Sequence, residues 1–198
     1  LGMSRGLGDV YKRQIKKKVM RGLSEPAGII TFPGVNGYTK ELDARLPYDV
    51  DAAKKLLADA GYPNGFDVEL RCPNDRYVND EAICTAVVGM LGKIGVNVSL
   101  FAQTKSKHFK ELKDNQGDFY MLGWGVPTLD SHYVFHYLYE SGASWNKVNF
   151  SNSEVDAAIR VMEGEVDLDK RNEAIAKAWK IVKDDISYLP LHLSLIHI

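Results

Sequence analysis

Two histidines, His132 and His136, stand four residues apart and could share one face of a helix, with Asp130 and Glu140 nearby. Imidazole and carboxylate groups at such a spacing can bind a transition metal. The chain has no HExxH sequence, however, and the spacing fixes no third ligand. The sequence therefore favours a role for both histidines at the surface or at an interface between parts of the fold, and it predicts no metal site.

A second group of candidate residues lies in the loop 73–77, directly after a predicted strand. Arg76 could bind a carboxylate through two hydrogen bonds, and Tyr77 could stack on a ligand side chain. The alternative is a turn in which Asn74 and Asp75 bond their own backbone, and the two roles are compatible. We expect Asn74, Arg76 and Tyr77 to contribute to a ligand site.

Trp124 stands between two glycines, Gly123 and Gly125, after the third predicted strand. The carboxyl ends of parallel strands in an open α/β sheet form a crevice where ligands bind. The flanking glycines let a ligand or another backbone approach closely. Trp124 and Gly125 are therefore candidate ligand contacts, and the alternative is that Trp124 fills a core between two parts of the fold.

Motifs that would indicate an enzyme do not occur in the sequence. There is no GxSxG, P-loop or GxGxxG, and no spacing of serine and histidine indicates a catalytic triad. Hydrolysis needs an activated nucleophile or a metal-bound water. We expect a protein that is not an enzyme, with no catalytic residues and no cofactor.

The two cysteines, Cys72 and Cys84, lie at the end of a predicted strand and inside the following helix. They could form a disulfide in an oxidising compartment, or they could be two buried free thiols. Their spacing offers no CxxC, and no histidine lies near enough in sequence to suggest zinc.

These residues are positioned by an alternation of strands and helices. Asp49 caps a helix that ends at Gly61, and strands with period-two alternation follow over 66–72 and 96–100. A helix starting at Asn79 or Asp80 lies between these strands. A helix capped by Ser106 precedes a third strand over 119–124. This βαβαβ order predicts an α/β fold with a mainly parallel sheet and right-handed crossovers.

The remainder of the chain is predicted to be mainly helical. Ser153 and Asp156 resemble a capping box that opens a helix, a second helix spans about 169–183, and an edge strand spans 186–192. Both ends resemble translated linker sequence. Residues 1–14 and 194–198 are therefore expected to be a non-native leader and tail, and the fold prediction leaves them out.

Composition excludes several classes of partner. The net charge of −1 gives no electrostatic footprint for nucleic acid or for an anionic membrane. No run of about 18 apolar residues is present to span a bilayer. We expect no nucleic-acid partner.

Several strings together resemble the family 5 solute-binding proteins of ABC importers, which include oligopeptide, dipeptide and nickel binders. Each string alone is weak, but their joint order and spacing are specific to that family. The strings are LPYDVDAAKKLLADAGYPNGFDVEL at 46–70, MLGKIGVNVSL at 90–100, GDFYMLGWG at 117–125, FSNSEVDAAI at 150–159 and YLPLH at 188–192.

The resemblance implies a two-lobed, type II periplasmic-binding-protein-like fold, of which this chain would be a carboxyl-terminal fragment. Residues 15–122 would form the second lobe, and residues 123–193 would form the hinge crossing and a return segment packed on the first lobe. A monomer would capture a small solute, above all a short peptide, in the cleft between lobes. It would then deliver the solute to an ABC permease in the membrane.

The resemblance also implies a location in the periplasm or outside the cell, with a membrane-anchored lipoprotein as one form. The signal peptide would be missing from this stretch of sequence. One alternative is the ligand-sensing domain of a cytoplasmic transcriptional regulator with the same fold. Another is a binder of nickel or of a different solute.

One position departs from the peptide-binding members of the family. Those members carry an aspartate in the pattern Gly-Trp-x-x-Asp, which pairs with the α-amino group of the ligand. Pro127 occupies that position here. Asp130 could replace the missing carboxylate, or it could cap the helical segment that follows. Asp130 is therefore retained as a candidate ligand-binding residue.

Overall fold

The computed structural model describes residues 9–195, which fold into two compact units. One unit combines 9–27, 45–123 and 191–195 and is called the α/β unit here. The other unit combines 28–44 and 124–190 and is called the helical unit. The sequence had assigned the whole of 15–122 to one lobe, but residues 28–44 pack with the helical unit instead. How these units correspond to the lobes of a binding protein stays a prediction.

The α/β unit contains a parallel sheet with helices between its strands. Its elements are helix α1 (Asp9–Gln14), a π-helical turn (Ile15–Val19), strand β1 (Ser24–Pro26), helix α2 (Val50–Asp59), strand β2 (Phe66–Pro73), helix α3 (Asp80–Gly92), strand β3 (Val96–Gln103), helix α4 (Lys105–Lys113), strand β4 (Phe119–Tyr120) and strand β5 (His192–Ser194). The helical unit contains helix α5 (His132–Val134), a π-helical segment (Phe135–Tyr139), helix α6 (Ser153–Gly164) and helix α7 (Leu168–Asp185). In the part of the chain from 9 to 195, none of the helices is both apolar enough and long enough to span a bilayer.

The three-stranded sheet has the order β3–β2–β4, and both pairings are parallel. This confirms the βαβαβ prediction. The register of β2 and β3 runs from Phe66 opposite Val96 to Pro73 opposite Gln103. Buried Leu70 and other apolar side chains of β2 pack into the core of the unit.

Strand β4 is much shorter than the predicted span of 119–124. Only Phe119 and Tyr120 pair with β2, and the N–H of Met121 then donates to the carbonyl of Arg71. The neighbouring strand ends at Pro73, which has no N–H with which to extend the ladder. The chain therefore leaves the sheet before Trp124.

Residues at both ends of the described stretch take part in the fold. Helix α1 begins at Asp9, and Tyr11 is only 2% exposed. Its hydroxyl lies 2.8 Å from that of Tyr48. At the other end, Ser194 pairs with Ser24 in an antiparallel ladder. Residues 1–8 and 196–198 lie outside the described residues, and a non-native origin of the ends stays a prediction.

Of three helix N-caps predicted from the sequence, the structure confirms one and shows that two are wrong. Asp49 caps α2 as predicted, since its carboxylate accepts from the N–H of Ala52 at 2.8 Å. Helix α6 is capped by Asn152 rather than by Ser153, because the Asn152 side chain accepts from the next two free N–H groups. Helix α4 begins at Lys105, so Ser106 lies inside it instead of capping it.

The core of the helical unit forms where α6 and α7 pack together with the π-helical segment. Its large buried side chains include Phe135, Ile159, Ile175 and Trp179. Phe135 and Trp179 have ring centroids 4.6 Å apart. The predicted strand over 186–192 is wrong, since the strand forms only from His192 onward.

Candidate ligand-binding site

Three aromatic side chains surround Trp124 in the helical unit and form a cluster of four with it. The ring centroids of Tyr133, Tyr137 and Trp145 lie 6.0, 6.0 and 5.9 Å from that of Trp124. All four side chains are half-buried. The four residues, called the Trp124 cluster below, form a partly exposed aromatic surface of the kind that binds apolar and planar groups.

The helical segment 132–139 positions two members of this cluster. Tyr133 and Tyr137 are four residues apart, so they lie on one face of the segment with ring centroids 4.8 Å apart. Phe135 and Leu138 point into the core and fix the orientation of the segment. The helical spacing of the tyrosines could have indicated this pair from sequence. Trp145 lies beyond the segment, and no spacing rule places it beside Trp124.

The indole N–H of Trp124 is shielded from solvent and has no hydrogen-bond partner among residues 9–195. An indole nitrogen is only a donor, and a buried donor without an acceptor is energetically costly. A carbonyl or carboxylate oxygen of a ligand could pair with it after a small movement of the surrounding rings. Gly125 is exposed beside this group, and a methyl group at Gly125 would meet no atom within 4 Å.

Asp130 is engaged in contacts within the helical unit. Its two carboxylate oxygens lie 2.8 and 2.9 Å from the guanidinium of Arg171. They also accept from the N–H of His132 and from the side-chain amide of Asn36. Burial raises the pKa of Asp130, but these donors outweigh burial and hold the pKa below its ordinary value. Asp130 therefore caps and anchors the segment, and it offers no free carboxylate to a ligand.

The loop after β2 is organised by a buried aspartate that the sequence did not single out. Asp80 accepts from the N–H groups of Arg76 and Tyr77, both at 3.0 Å. Asp75 accepts from the N–H of Lys105, so it bonds α4 rather than its own backbone. The predicted turn made by local side-chain bonds is therefore wrong for Asp75. The loop is nevertheless fastened by hydrogen bonds to Asp75 and Asp80.

Arg76 and Asn74 are exposed on this loop. The Arg76 guanidinium lies over the ring of Tyr77, 5.0 Å from its centroid, which is a cation–π geometry. No carboxylate of residues 9–195 lies within ion-pair distance of Arg76. This guanidinium can therefore accept an anionic group from outside.

Tyr77 is held against Gly123 within the α/β unit. Its hydroxyl donates to the carbonyl of Gly123 at 3.3 Å. A methyl group on Gly123 would lie 2.6 Å from Cε1 of Tyr77, so only glycine leaves room for the ring. Burial raises the pKa of the Tyr77 hydroxyl, and the nearby positive charge of Arg76 only partly opposes that effect.

A disulfide joins Cys72 and Cys84 and fastens the end of β2 to α3. This resolves the choice between a disulfide and free thiols. The bond closes the stretch that contains Arg76 and Tyr77, so it restricts the loop in both the folded and unfolded chain. Disulfides of this kind form in oxidising compartments.

Comparison with known proteins shows which family this chain resembles. The model of bacterial extracellular solute-binding proteins, family 5 (Middle), matches residues 12–146. The heme-binding protein A of Haemophilus influenzae is 27% identical over 92% of this chain and 34% of its own length. The dipeptide-binding protein of Escherichia coli is 26% identical over 88% of this chain and 34% of its own length. The chain thus spans about a third of the length of these relatives.

The fold has also been seen in solved structures. HbpA2 from Haemophilus parasuis matches with a TM-score of 0.87 at 21% identity, over 98% of this chain and 38% of that one. The likeness confirms the predicted periplasmic-binding-protein-like α/β fold. Since the family model covers well over half of the chain, this protein belongs to the bacterial extracellular solute-binding proteins of family 5.

Proposed function

We propose that this protein is the substrate-binding component of an ABC importer and captures a short peptide or a similar solute for a membrane permease. Its family consists of solute-binding proteins rather than enzymes. A relative that matches most of this chain is named for binding dipeptides. We further propose that the protein acts as a monomer in the periplasm or outside the cell.

The observation that carries this proposal is the Trp124 cluster. Trp124 and three partly exposed rings, whose centroids lie 5.9–6.0 Å from that of Trp124, offer a surface for apolar side chains and for the flat faces of peptide groups. The unpaired indole N–H adds one directed donor. A surface with these properties suits a solute that combines apolar groups with carbonyl or carboxylate oxygens.

The loop 74–77 supports the same type of solute. Arg76 presents an exposed guanidinium, and a guanidinium can hold a carboxylate through two parallel hydrogen bonds. The disulfide and Asp80 keep the loop in place, so little conformational entropy would be lost when a ligand binds. Asn74 offers a further amide at the exposed surface. A cleft between the lobes as the place of binding stays a prediction.

We do not propose that the protein recognises the α-amino group of a peptide. Pro127 stands where peptide binders keep an aspartate, and Asp130 is neutralised by Arg171. We propose that the solute is held by its carboxylate, its carbonyls and its apolar groups. Blocking the α-amino group should therefore not abolish binding.

Mass spectrometry of solutes that copurify with the protein tests this function. The protein should be purified as the cell makes it, without denaturation, and its bound solutes released with organic solvent. We expect intact molecules of peptide-like size that carry a carboxylate. Recovery of cleaved products from a defined peptide would instead indicate an enzyme, and repeated recovery of a metal complex alone would contradict a peptide-like solute.

A further inference from the structure

We infer that His132, His136 and Glu163 form a binding site for a divalent transition metal, with Zn²⁺ as the best match. The two histidines lie on the helical segment 132–139, and Glu163 lies on α6. One ligand atom from each of the three side chains can be chosen so that all lie within 4.8 Å of one another. The sequence favoured a surface role for the histidines because it fixed no third ligand, and α6 now supplies one.

The distances suit a metal centre. Glu163 Oε1 lies 3.4 Å from His132 Nε2 and 3.9 Å from His136 Nδ1. Ligand atoms around tetrahedral Zn²⁺, at bond lengths near 2.0–2.2 Å, are about 3.3 Å apart. Small side-chain rotations would therefore bring the three atoms onto one metal ion. All three side chains are partly exposed, but the two ring nitrogens themselves are shielded, so the same rotations must also open them to a metal ion from solvent.

Both ring nitrogens lie near carboxylate oxygens, but neither makes a hydrogen bond of normal geometry with them. His132 Nε2 and His136 Nδ1 are shielded from solvent and make no hydrogen bond of normal geometry to residues 9–195. Shielded polar atoms without partners are uncommon and call for an explanation. A metal ion bound between them and Glu163 would satisfy both nitrogens at once.

The charge and ligand types indicate the class of metal. Glu140 Oε2 lies 2.8 Å from His136 Nδ1, so a second carboxylate is available beside the three ligands. Two neutral imidazoles with one or two carboxylates form a borderline-soft nitrogen and oxygen site, which suits Zn²⁺ and its neighbours rather than Mg²⁺ or Ca²⁺. The disulfide keeps both cysteines from competing for the metal.

A metal at this position would join α6 to the segment that carries two residues of the Trp124 cluster. Tyr137 follows His136 directly, and their ring centroids are 4.9 Å apart. The inferred role is structural, because the metal would fix the segment on which Tyr133 and Tyr137 stand. It goes beyond solute capture and does not depend on it.

Isothermal titration with Zn²⁺ alone tests the site. The full chain should carry no affinity tag, be treated with chelator, and be kept oxidised. We expect one Zn²⁺ per chain and a rise in Tm of at least ~5 °C at saturation. Glu163→Gln should weaken binding at least ~10-fold and His136→Ala at least ~100-fold, since even the loss of outer-shell partners costs 10–100-fold.

Glu173→Gln is the matched control, since it removes the same charge from an exposed position on α7. It should leave Zn²⁺ affinity unchanged, and circular dichroism should show that all variants are folded. X-ray absorption of the zinc-loaded chain should show two imidazoles in the first shell. No binding at micromolar Zn²⁺, or binding that is equally strong in all three variants, would overturn the inference.

Discussion

Arg171 on α7 binds both carboxylate oxygens of Asp130, with Nη1–Oδ2 and Nη2–Oδ1 distances of 2.8 and 2.9 Å. The side-chain amide of Asn36 bonds the same carboxylate at 3.1 Å. This one group therefore links three stretches of the helical unit that are far apart in sequence. The nearest carboxylate after the Gly-Trp motif is thus a structural residue, which removes the simplest candidate for binding an α-amino group.

Replacing this carboxylate should destabilise the helical unit. Asp130→Asn keeps the shape but leaves the largely buried guanidinium of Arg171 without its counter-ion, and we expect a loss of about 2 kcal/mol in the free energy of unfolding. Chemical denaturation measures this loss in the free energy of unfolding. Glu154→Gln is the control, because the Glu154–Lys177 pair also joins α6 to α7 but is exposed to solvent. Equal destabilisation by both variants would contradict this assignment.

The ion pair of Asp130 and Arg171 predicts that stability depends on pH. The pKa of Asp130 lies below its ordinary value of 3.8 in the folded protein, so the ionised carboxylate favours folding. This contribution is complete above the pKa of the unfolded chain and is lost as pH falls through the folded pKa. The stability difference between the wild type and Asp130→Asn should therefore be constant near neutrality and shrink below about pH 4. A constant difference down to pH 2 would contradict the ion pair.

The disulfide should contribute substantially to stability. Cys72 and Cys84 are 12 residues apart, and closing a loop of that size is worth about 3 kcal/mol. The double variant Cys72→Ala/Cys84→Ala should lose about 2–3 kcal/mol of unfolding free energy in urea denaturation. Dithiothreitol should destabilise the wild type and leave the double variant unchanged. Two titratable thiols in the native, oxidised protein would show that the pair is not formed.

Two neighbouring glycines should respond differently to the same substitution. Gly123→Ala would place a methyl group 2.6 Å from the Tyr77 ring, whereas Gly125→Ala meets open space. Displacing the ring towards solvent removes the burial that raises its pKa, so the pKa of Tyr77 should fall towards its ordinary value of 10.0. NMR of ¹³C-labelled tyrosine, with Tyr77→Phe to assign the signal, measures this. An identical Tyr77 titration in both alanine variants would disprove the contact.

The cap of α6 can be tested by a matched pair of alanine substitutions. Asn152→Ala removes an acceptor for two backbone N–H groups and should cost about 1 kcal/mol of unfolding free energy. Ser153→Ala changes the first helical residue, whose side chain is exposed, and should leave stability unchanged. If Ser153→Ala is the more damaging of the two, the capping box predicted from sequence is the correct assignment.

Local patterns predicted much of the α/β unit. Strands β2 and β3 follow from alternating apolar residues, and α2 follows from Asp49 at its start and Gly61 at its end. Strand β4 could not be bounded in the same way, because its length depends on its neighbour. The ladder stops where β2 reaches Pro73, which is nearly fifty residues earlier in the chain.

Only individual residues of the candidate site could be predicted from the sequence, and their mutual contacts could not. The sequence proposes Arg76, Tyr77 and Trp124 as candidates because each follows a recognisable strand or motif. Their partners, including Asp80 for the loop and Trp145 for Trp124, depend on how helices and loops pack. The approach of Glu163 to the two histidines also depends on packing, since no spacing rule relates α6 to residues 132–139.

The central claim is that the Trp124 cluster binds the solute, and one affinity comparison tests it most directly. The protein as the cell makes it should be titrated with its copurified solute by calorimetry, in wild type, Trp124→Ala and Tyr62→Ala. Tyr62 is the control, because it is an exposed aromatic in the α/β unit outside the proposed site. We predict at least a ~10-fold loss of affinity for Trp124→Ala and none for Tyr62→Ala. Unchanged affinity in a folded Trp124→Ala variant would contradict the claim.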